Sequence, residues 1–545
     1  MKRIVAIICF TLWALTPKTQ TVGIIDYEAP LDLGYILFAP NSNKFVYLID
    51  PCGYKINEWS MPSVPGMIAK LNNQGELIYA QRESSPIFNG GGIGGRILSY
   101  SWDGEQLWNL PVNTPAFHQH HDMEILPNNN ILVLGWEFHE VSEATAGGRE
   151  TVPSGGLWSE TIREYQVDET GEATVVWEWR SWDHVIQDIL PVKPNYGIID
   201  QNPGKIDINF APTGANFSDW MHANSLDYNP ELDQIIINIR NFAEFWVIDH
   251  STTIEEAKTD TGGISGQGGQ ILYRWGNPQS YKMGNDEDRK FYGQHDAHWI
   301  DQGLNGAGSI MIFNNGISRP EGNYSTIETI DPPLEGFSYN YDQTAYGPLN
   351  SSVIYGNQDD EFFFSSRISG SQRLPNGNTL ICSGVKGILF EVNSEQEIVW
   401  KYVNPSGSTI LEQGDTPGNS IQVFQSIKYA PDFAGFAGKS LEPTERIELN
   451  PIDNCDLNTT NNKDLTNIET LRFNSWIEDR LYIEQTIPRE LDIKIYNTSG
   501  MLVYSKKENE RSIALDLQIR PGVYFMGLSP EGEPSAIHKI YVAHE

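Results

Sequence analysis

HHDMEILPNNNILVLGWE, residues 120–137, carries the pattern that decides the fold. A polar start leads into Leu-Pro-Asn, a tight turn follows, and a β-rich run closes the unit. SGSQRLPNGNTLICSGVKGILFEV, residues 369–392, repeats that order. HANSLDYNPELDQIIINIRNFAEFWVID (222–249) and QHDAHWIDQGLNGAGSIMIFNNG (294–316) keep the layout with longer turns. Ile235, Ile237 and Ile239 alternate at the period of a strand, and no long amphipathic helix is evident. Many units close on a strand bearing tryptophan, at Trp59, Trp108, Trp177, Trp275 and Trp400.

Repeats of roughly 40–50 residues with about four strands each are the signature of propeller blades. Starts near Gly34, Ala69, His121, His222, His295 and Ser371 predict about six blades. The expected class is therefore all-β: a six-bladed β-propeller over 22–445, then a small C-terminal β-sandwich over 466–545. NPIDNCDLNTTNNKD opens a polar linker, 446–465. Segments near 185–218 and 317–355 interrupt the repeat and read as insertions that build a binding face.

The first 21 residues join two basic residues to a short apolar run, which reads as a secretory signal peptide and is too short to span a bilayer. No later stretch reads as transmembrane. Cys52, Cys382 and Cys455 of the mature chain form no disulfide framework and no zinc spacing. The formal charge of −34, from 71 acidic and 37 basic residues, argues against nucleic-acid binding. An anionic substrate then needs a local island of histidine and arginine. Nothing in the sequence demands a metal or another cofactor.

HHDMEILPNNNILVL, DWMHANSLDYNPELDQIIINIR, QHDAHWI with FNNGISR, SGSQRLPNGNTLICSGVKGILFEV and VFQSIKYAPDFAGFAGKSL together resemble the bacterial arylsulfotransferase family, over roughly 26–443. The resemblance implies a six-bladed propeller that moves a sulfuryl group from an aryl sulfate to a phenol, without a nucleotide donor, through a sulfohistidine. The tail, with IYNTSGMLVY and RPGVYFMGL, resembles the sorting domain of type IX secretion, although the usual Tyr-Pro-Asn-Pro opening is absent. It implies export through the periplasm to the cell surface or medium, with the type IX machinery as partner.

By that resemblance, His222 and His295 match sulfuryl-site histidines and Arg319 matches a clamp arginine. His121, His298, Arg240, Ser371 and Gln372 are the further candidates for binding substrate. Residues that open the innermost strand of a blade face the axis, so His121, His222 and His295 are expected to converge there. A neutral imidazole is a competent nucleophile, and a guanidinium fork suits sulfuryl oxygens. His118, His120 and His139 are expected in loops. The family's nucleophile belongs to a late blade, yet no histidine lies between His298 and His538. Either the nucleophile is then expected from another blade, from His295 or His298, or the sulfohistidine step has been lost. The other reading is a non-catalytic surface propeller that binds an aromatic, sulfated or glycan ligand.

Overall fold

The computed structural model describes residues 20–28, 31–168, 170–211, 217–358, 363–452 and 455, and, in the C-terminal segment, 471–473, 476–477, 480–485, 490–497, 501–510, 512–515, 517, 519–520, 522–530 and 536–542. The signal-peptide expectation and most of the linker lie outside these residues. The chain divides into two compact units, Met1–Cys455 and Asp456–Glu545.

The first unit is built on six antiparallel sheets of four or five strands, taken up in chain order. The first strands of sheets two to six are Pro65–Leu71, Phe117–Ile125, Ala223–Asn229, His295–Trp299 and Gly370–Arg373. Sheet one departs from expectation. Tyr35–Pro40, near the expected start at Gly34, is its second strand, and the first is Val423–Tyr429 from the far end of the unit. Gly23–Tyr27 in turn joins the outer edge of sheet six. Strands from both ends of the unit thus complete sheets made by the other end.

Strand period explains the core. In Ile131–His139 the residues Ile131 and Val133 pack with Ile78 and Ala80 of sheet two, whereas Leu132 and Leu134 pack with Ile235 and Ile237 of sheet four. Alternate side chains of one strand thus serve two neighbouring sheets. The tryptophans tie the outer strands. Indole N–H groups donate from Trp59 to the Ser101 carbonyl, from Trp179 to Gly269, from Trp275 to Pro348 and from Trp400 to Pro51, each in the next sheet's loops.

The first strands are tied as well. Tyr429 Oη accepts from Leu71 N–H, and Lys70 pairs with Glu124. Asp122 accepts from Leu226 N–H at 3.0 Å, Asp227 from Trp299 N–H at 2.9 Å and Asp296 from Ser371 N–H at 2.7 Å. Gln372 bonds both backbone groups of Lys428, which returns the series to sheet one.

Three expectations need correction. Cys52 and Cys455 form a disulfide, which fastens the end of the unit to sheet one. Two cysteines at the extremes of a chain give no spacing signal, because the contact that joins them is tertiary. Residues 446–452 belong with this unit, since Arg446 pairs with Tyr54 and Leu449 with Glu412. The segment 317–355 is no simple insertion: Thr326–Ile330 and Ser352–Tyr355 are the third and fourth strands of sheet five. In the second unit a three-stranded and a five-stranded sheet contribute to one apolar core, which includes Ile483, Ile493, Leu515 and Met526.

Sheets three and four share a charged tie. His250 Nδ1 lies 2.7 Å from Asp233 and Nε2 lies 3.0 Å from Glu164. Burial alone would lower this imidazole, but hydrogen bonds and attraction to the two carboxylates outweigh it and raise it to about 9. The folded value exceeds the unfolded one of 6.5, so the tie's stability is full below pH 6.5 and is lost as pH rises through about 9. His250→Gln should cost about 2–3 kcal/mol at pH 6. Urea unfolding should show the gap to wild type shrinking towards pH 10, and a gap independent of pH would refute the assignment.

Candidate functional site

A recurring backbone device aims side chains inward. His121, His222 and Asp296 have φ of 51°, 51° and 59°, and Met67 and Ser369 are also positive, at 91° and 92°. Register shifts mark the bulges at or beside Met67, His121, His222 and Asp296. A bulge re-aims the residues around it, and left-handed backbone outside glycine is held only where the surroundings enforce it. Here it turns imidazoles of sheets three, four and five towards one another. The His121 and His222 ring centroids are 4.8 Å apart, and Phe424 packs against both His121 and His295, at 6.0 and 6.4 Å.

Each imidazole is held differently. His222 Nδ1 lies 2.5 Å from Asp219 Oδ2. Burial works to raise the Asp219 carboxyl, but the charge and hydrogen bond of His222 outweigh it and hold it below the ordinary carboxylate value. Asp219 is therefore an acceptor and Nδ1 carries a proton; in the neutral imidazole Nε2 then presents a lone pair. Among the described residues that nitrogen has no hydrogen-bond partner, and the side chain keeps 17% of its surface exposed.

His295 is fully engaged. Nδ1 faces the oxygens of Asn315 at 2.7 Å and Gly293 at 3.0 Å, so it carries the proton, and Nε2 accepts the Ile368 N–H at 3.1 Å. Burial, with Arg240 nearby, pushes it down to about 3. His120 and His121 form a relay. Glu160 Oε2 is 2.9 Å from His120 Nε2, and the Nδ1 atoms of His120 and His121 are 2.8 Å apart. Burial raises Glu160 well above its ordinary value, pushes His120 to about 3 and lowers His121 strongly. Neutral groups then fix the order: Glu160 donates to His120, His120 donates to His121, and His121 keeps an Nε2–H as a donor.

Arg240 supplies the cation of this cluster. Among the described residues its Nη1 donates only to Asn241, at 3.2 Å, and its charge acts on His121 and His295. Burial lowers it, and Asp219 partly offsets that.

Four sequence candidates lie elsewhere. Arg319 stacks on Tyr324, at 4.4 Å, and donates to Thr326 Oγ1 at 2.7 Å with Glu328 at 3.4 Å. It lines a cleft of about 780 Å³ with Lys290 and Tyr292. His298, Ser371 and Gln372 line a separate cavity of about 640 Å³ with Lys70, Asp122 and Asp227. Strand alternation is the reason: His298 is three residues beyond His295, past the bulge. His118, His120 and His139 are buried strand residues rather than loop residues. Asp219, Glu160 and the glycines of NGGGIGG (89–95) were not anticipated. The signals were Asp-Trp-Met-His at 219–222, which spaces a carboxylate three before a histidine, and the density of glycine. Among the described residues no group of three or more His, Cys, Asp or Glu is arranged to hold a metal ion. No helix among them is long and apolar enough to cross a membrane.

A family profile described as arylsulfotransferase (ASST) matches residues 39–429, and one described as a secretion system C-terminal sorting domain matches 477–543. No curated protein matches. Solved structures are similar at low identity. One is a protein of unknown function from Bacteroides caccae, with TM-score 0.38 and 12% identity, covering 73% of this chain and 98% of that one. Another is a periplasmic gluconolactonase from Pseudomonas aeruginosa, with TM-score 0.36 and 12% identity, covering 68% and 96%.

Proposed function

The chain belongs to the arylsulfotransferase family, and from that membership we propose a six-bladed propeller enzyme that passes a sulfuryl group from an aryl sulfate to a phenol, with His222 as its transient carrier. The six sheets and the ties that lead from sheet six back to sheet one support the propeller, and the two sheets of the second unit support a small sandwich. The sorting-domain match indicates a secreted or surface protein, and we assign its delivery to the type IX machinery.

The observation that carries the assignment is the His222–Asp219 pair. Of the three imidazoles that meet here, only His222 joins a carboxylate at Nδ1 to an unengaged Nε2. His295 was the first expectation as nucleophile, but its Nε2 lone pair is taken by the Ile368 N–H. The late-blade histidine of the family is replaced in function by one from sheet four.

The step balances without a co-reactant. His222 Nε2 attacks sulfur, the N–S bond forms, the S–O(aryl) bond breaks, and the aryl oxygen leaves with the bonding pair. Asp219 stabilises the imidazolium that results. The acceptor phenol then attacks sulfur, the N–S bond breaks, and its proton goes to the released phenolate. Negative charge stays on peripheral oxygens throughout, so positioning and cationic contact carry the rate. Arg240 and the His121 Nε2–H supply that contact.

Arg240→Ala should lower kcat/KM for a chromogenic aryl sulfate by about 10²–10³-fold, the usual loss for one oxyanion contact. Arg319→Ala should stay within about threefold, because its donors are committed to Thr326 and Glu328. The reverse ranking would move the clamp to Arg319. Turnover of no aryl sulfate by the wild type would refute the enzyme reading.

A further inference from the structure

NGGGIGG, residues 89–95, lies directly on the histidine cluster. A Cβ at Gly90 would stand 2.9 Å from Asp219 Oδ2, and one at Gly91 3.6 Å from His222 Cε1. One at Gly92 would enter the His121 ring at Nε2, and one at Gly95 would stand 2.8 Å from His118 Nε2. At Gly90, Gly92 and Gly95 a side chain would collide with these neighbours. Gly92 also has φ of 79°, which favours glycine.

The hydrogen bonding of the segment adds an independent observation. His121 N–H donates to the Gly92 carbonyl, and Gly94 N–H donates to Gln119. Among the described residues the N–H groups of Gly90, Gly91 and Gly92 meet no acceptor, although Gly92 is buried. A buried backbone N–H is seldom left unpaired. Three consecutive free donors beside the His121 and His222 rings suit an anion with several oxygens. Gly90 also borders Asp219, whose carboxylate is directed at His222 Nδ1.

We propose that Gly90–Gly92 form a backbone cradle that holds the oxygens of the anionic group bound at His222. That the group is a sulfuryl group rests on the transferase reading, whereas the cradle itself requires only a tetrahedral or trigonal oxyanion. The side-chain clamp, Arg240, and the backbone cradle then contact the group from different segments. The cradle also accounts for the glycines: a side chain at Gly91 or Gly92 would occupy the space of the anion or of His121.

Amide hydrogen exchange of the full chain, followed on peptides that cover 88–95, tests this with sodium sulfate against sodium chloride at equal ionic strength. Sulfate should slow exchange at Gly90–Gly92 by at least about tenfold. Gly91→Val is the informative variant, because Gly91 is exposed, its φ is not positive, and its Cβ meets His222 only at ordinary contact distance. It should keep the melting temperature of the wild type, lose the sulfate effect and lower kcat/KM by about 10²-fold. Slowing without any sulfuryl transfer supports the cradle and refutes the transferase reading. Transfer by a wild type whose exchange ignores sulfate refutes the cradle and leaves the transferase reading standing. Slowing that persists in Gly91→Val marks an adventitious ion only and overturns the proposal.

Discussion

His222→Asn should lower kcat for sulfuryl transfer by at least about three orders of magnitude, as loss of an obligate nucleophile does. Asparagine keeps a donor for Asp219 and fills most of the volume, so the strand start and its bulge are retained. What vanishes is the Nε2 lone pair. His295→Asn is the paired comparison. His295 donates to Asn315 and Gly293 and accepts from Ile368. Its loss should disturb the positions of the two sheets and cost about tenfold to a hundredfold in kcat, with a lowered melting temperature. Stopped-flow bursts of released phenolate separate the two. The His222 variant should show no burst, while the His295 variant should show a slowed burst of full amplitude. A full burst in the His222 variant would return the nucleophile to His295.

Asp219→Asn should cost about 10³–10⁴-fold in kcat with little change in KM. The reason is the tautomer. Asp219 accepts from Nδ1 and so leaves Nε2 free to attack. An amide can turn its NH₂ towards Nδ1, which forces the proton onto Nε2 and silences it. A comparable carboxylate-to-amide change beside a catalytic histidine costs about 10⁴-fold with geometry intact. Asp219→Glu should recover part of the rate, since the acceptor is kept at a changed distance. Wild-type and Asp219→Asn proteins should bind a non-transferable sulfonate analogue with similar affinity. If binding is lost in parallel with kcat, Asp219 acts on substrate contact rather than on the tautomer, and the dyad assignment fails.

The repeat was legible because strand alternation and closing tryptophans are local signals. The reason for Trp59, Trp177, Trp275 and Trp400, an indole donated to the next sheet, became visible only in three dimensions. The exchange of strands between the two ends of the first unit was not legible, because neither Val423–Tyr429 nor Gly23–Tyr27 carries a mark of its distant partner. The same holds for Cys52 and Cys455. Within the site, His121, His222 and His295 could be placed together from their positions at strand starts. Their ranking could not, because it depends on which nitrogen each neighbour occupies. Ile368 N–H and Asp219 decide that, and one lies far along the chain from the imidazole it engages. Arg319 shows the converse: a motif position is retained, yet Glu328 and Tyr324 hold the side chain in a different cleft.

The most direct measurement is to trap the intermediate. Wild-type protein mixed with an aryl sulfate and no acceptor, quenched within the burst and digested at a pH that preserves N–S bonds, should carry one SO₃ group. Fragmentation should place it on His222, in the peptide that contains Asp219, and added phenol should remove it. An adduct on His295 or His298, or continued turnover with no adduct on any histidine, would contradict the account.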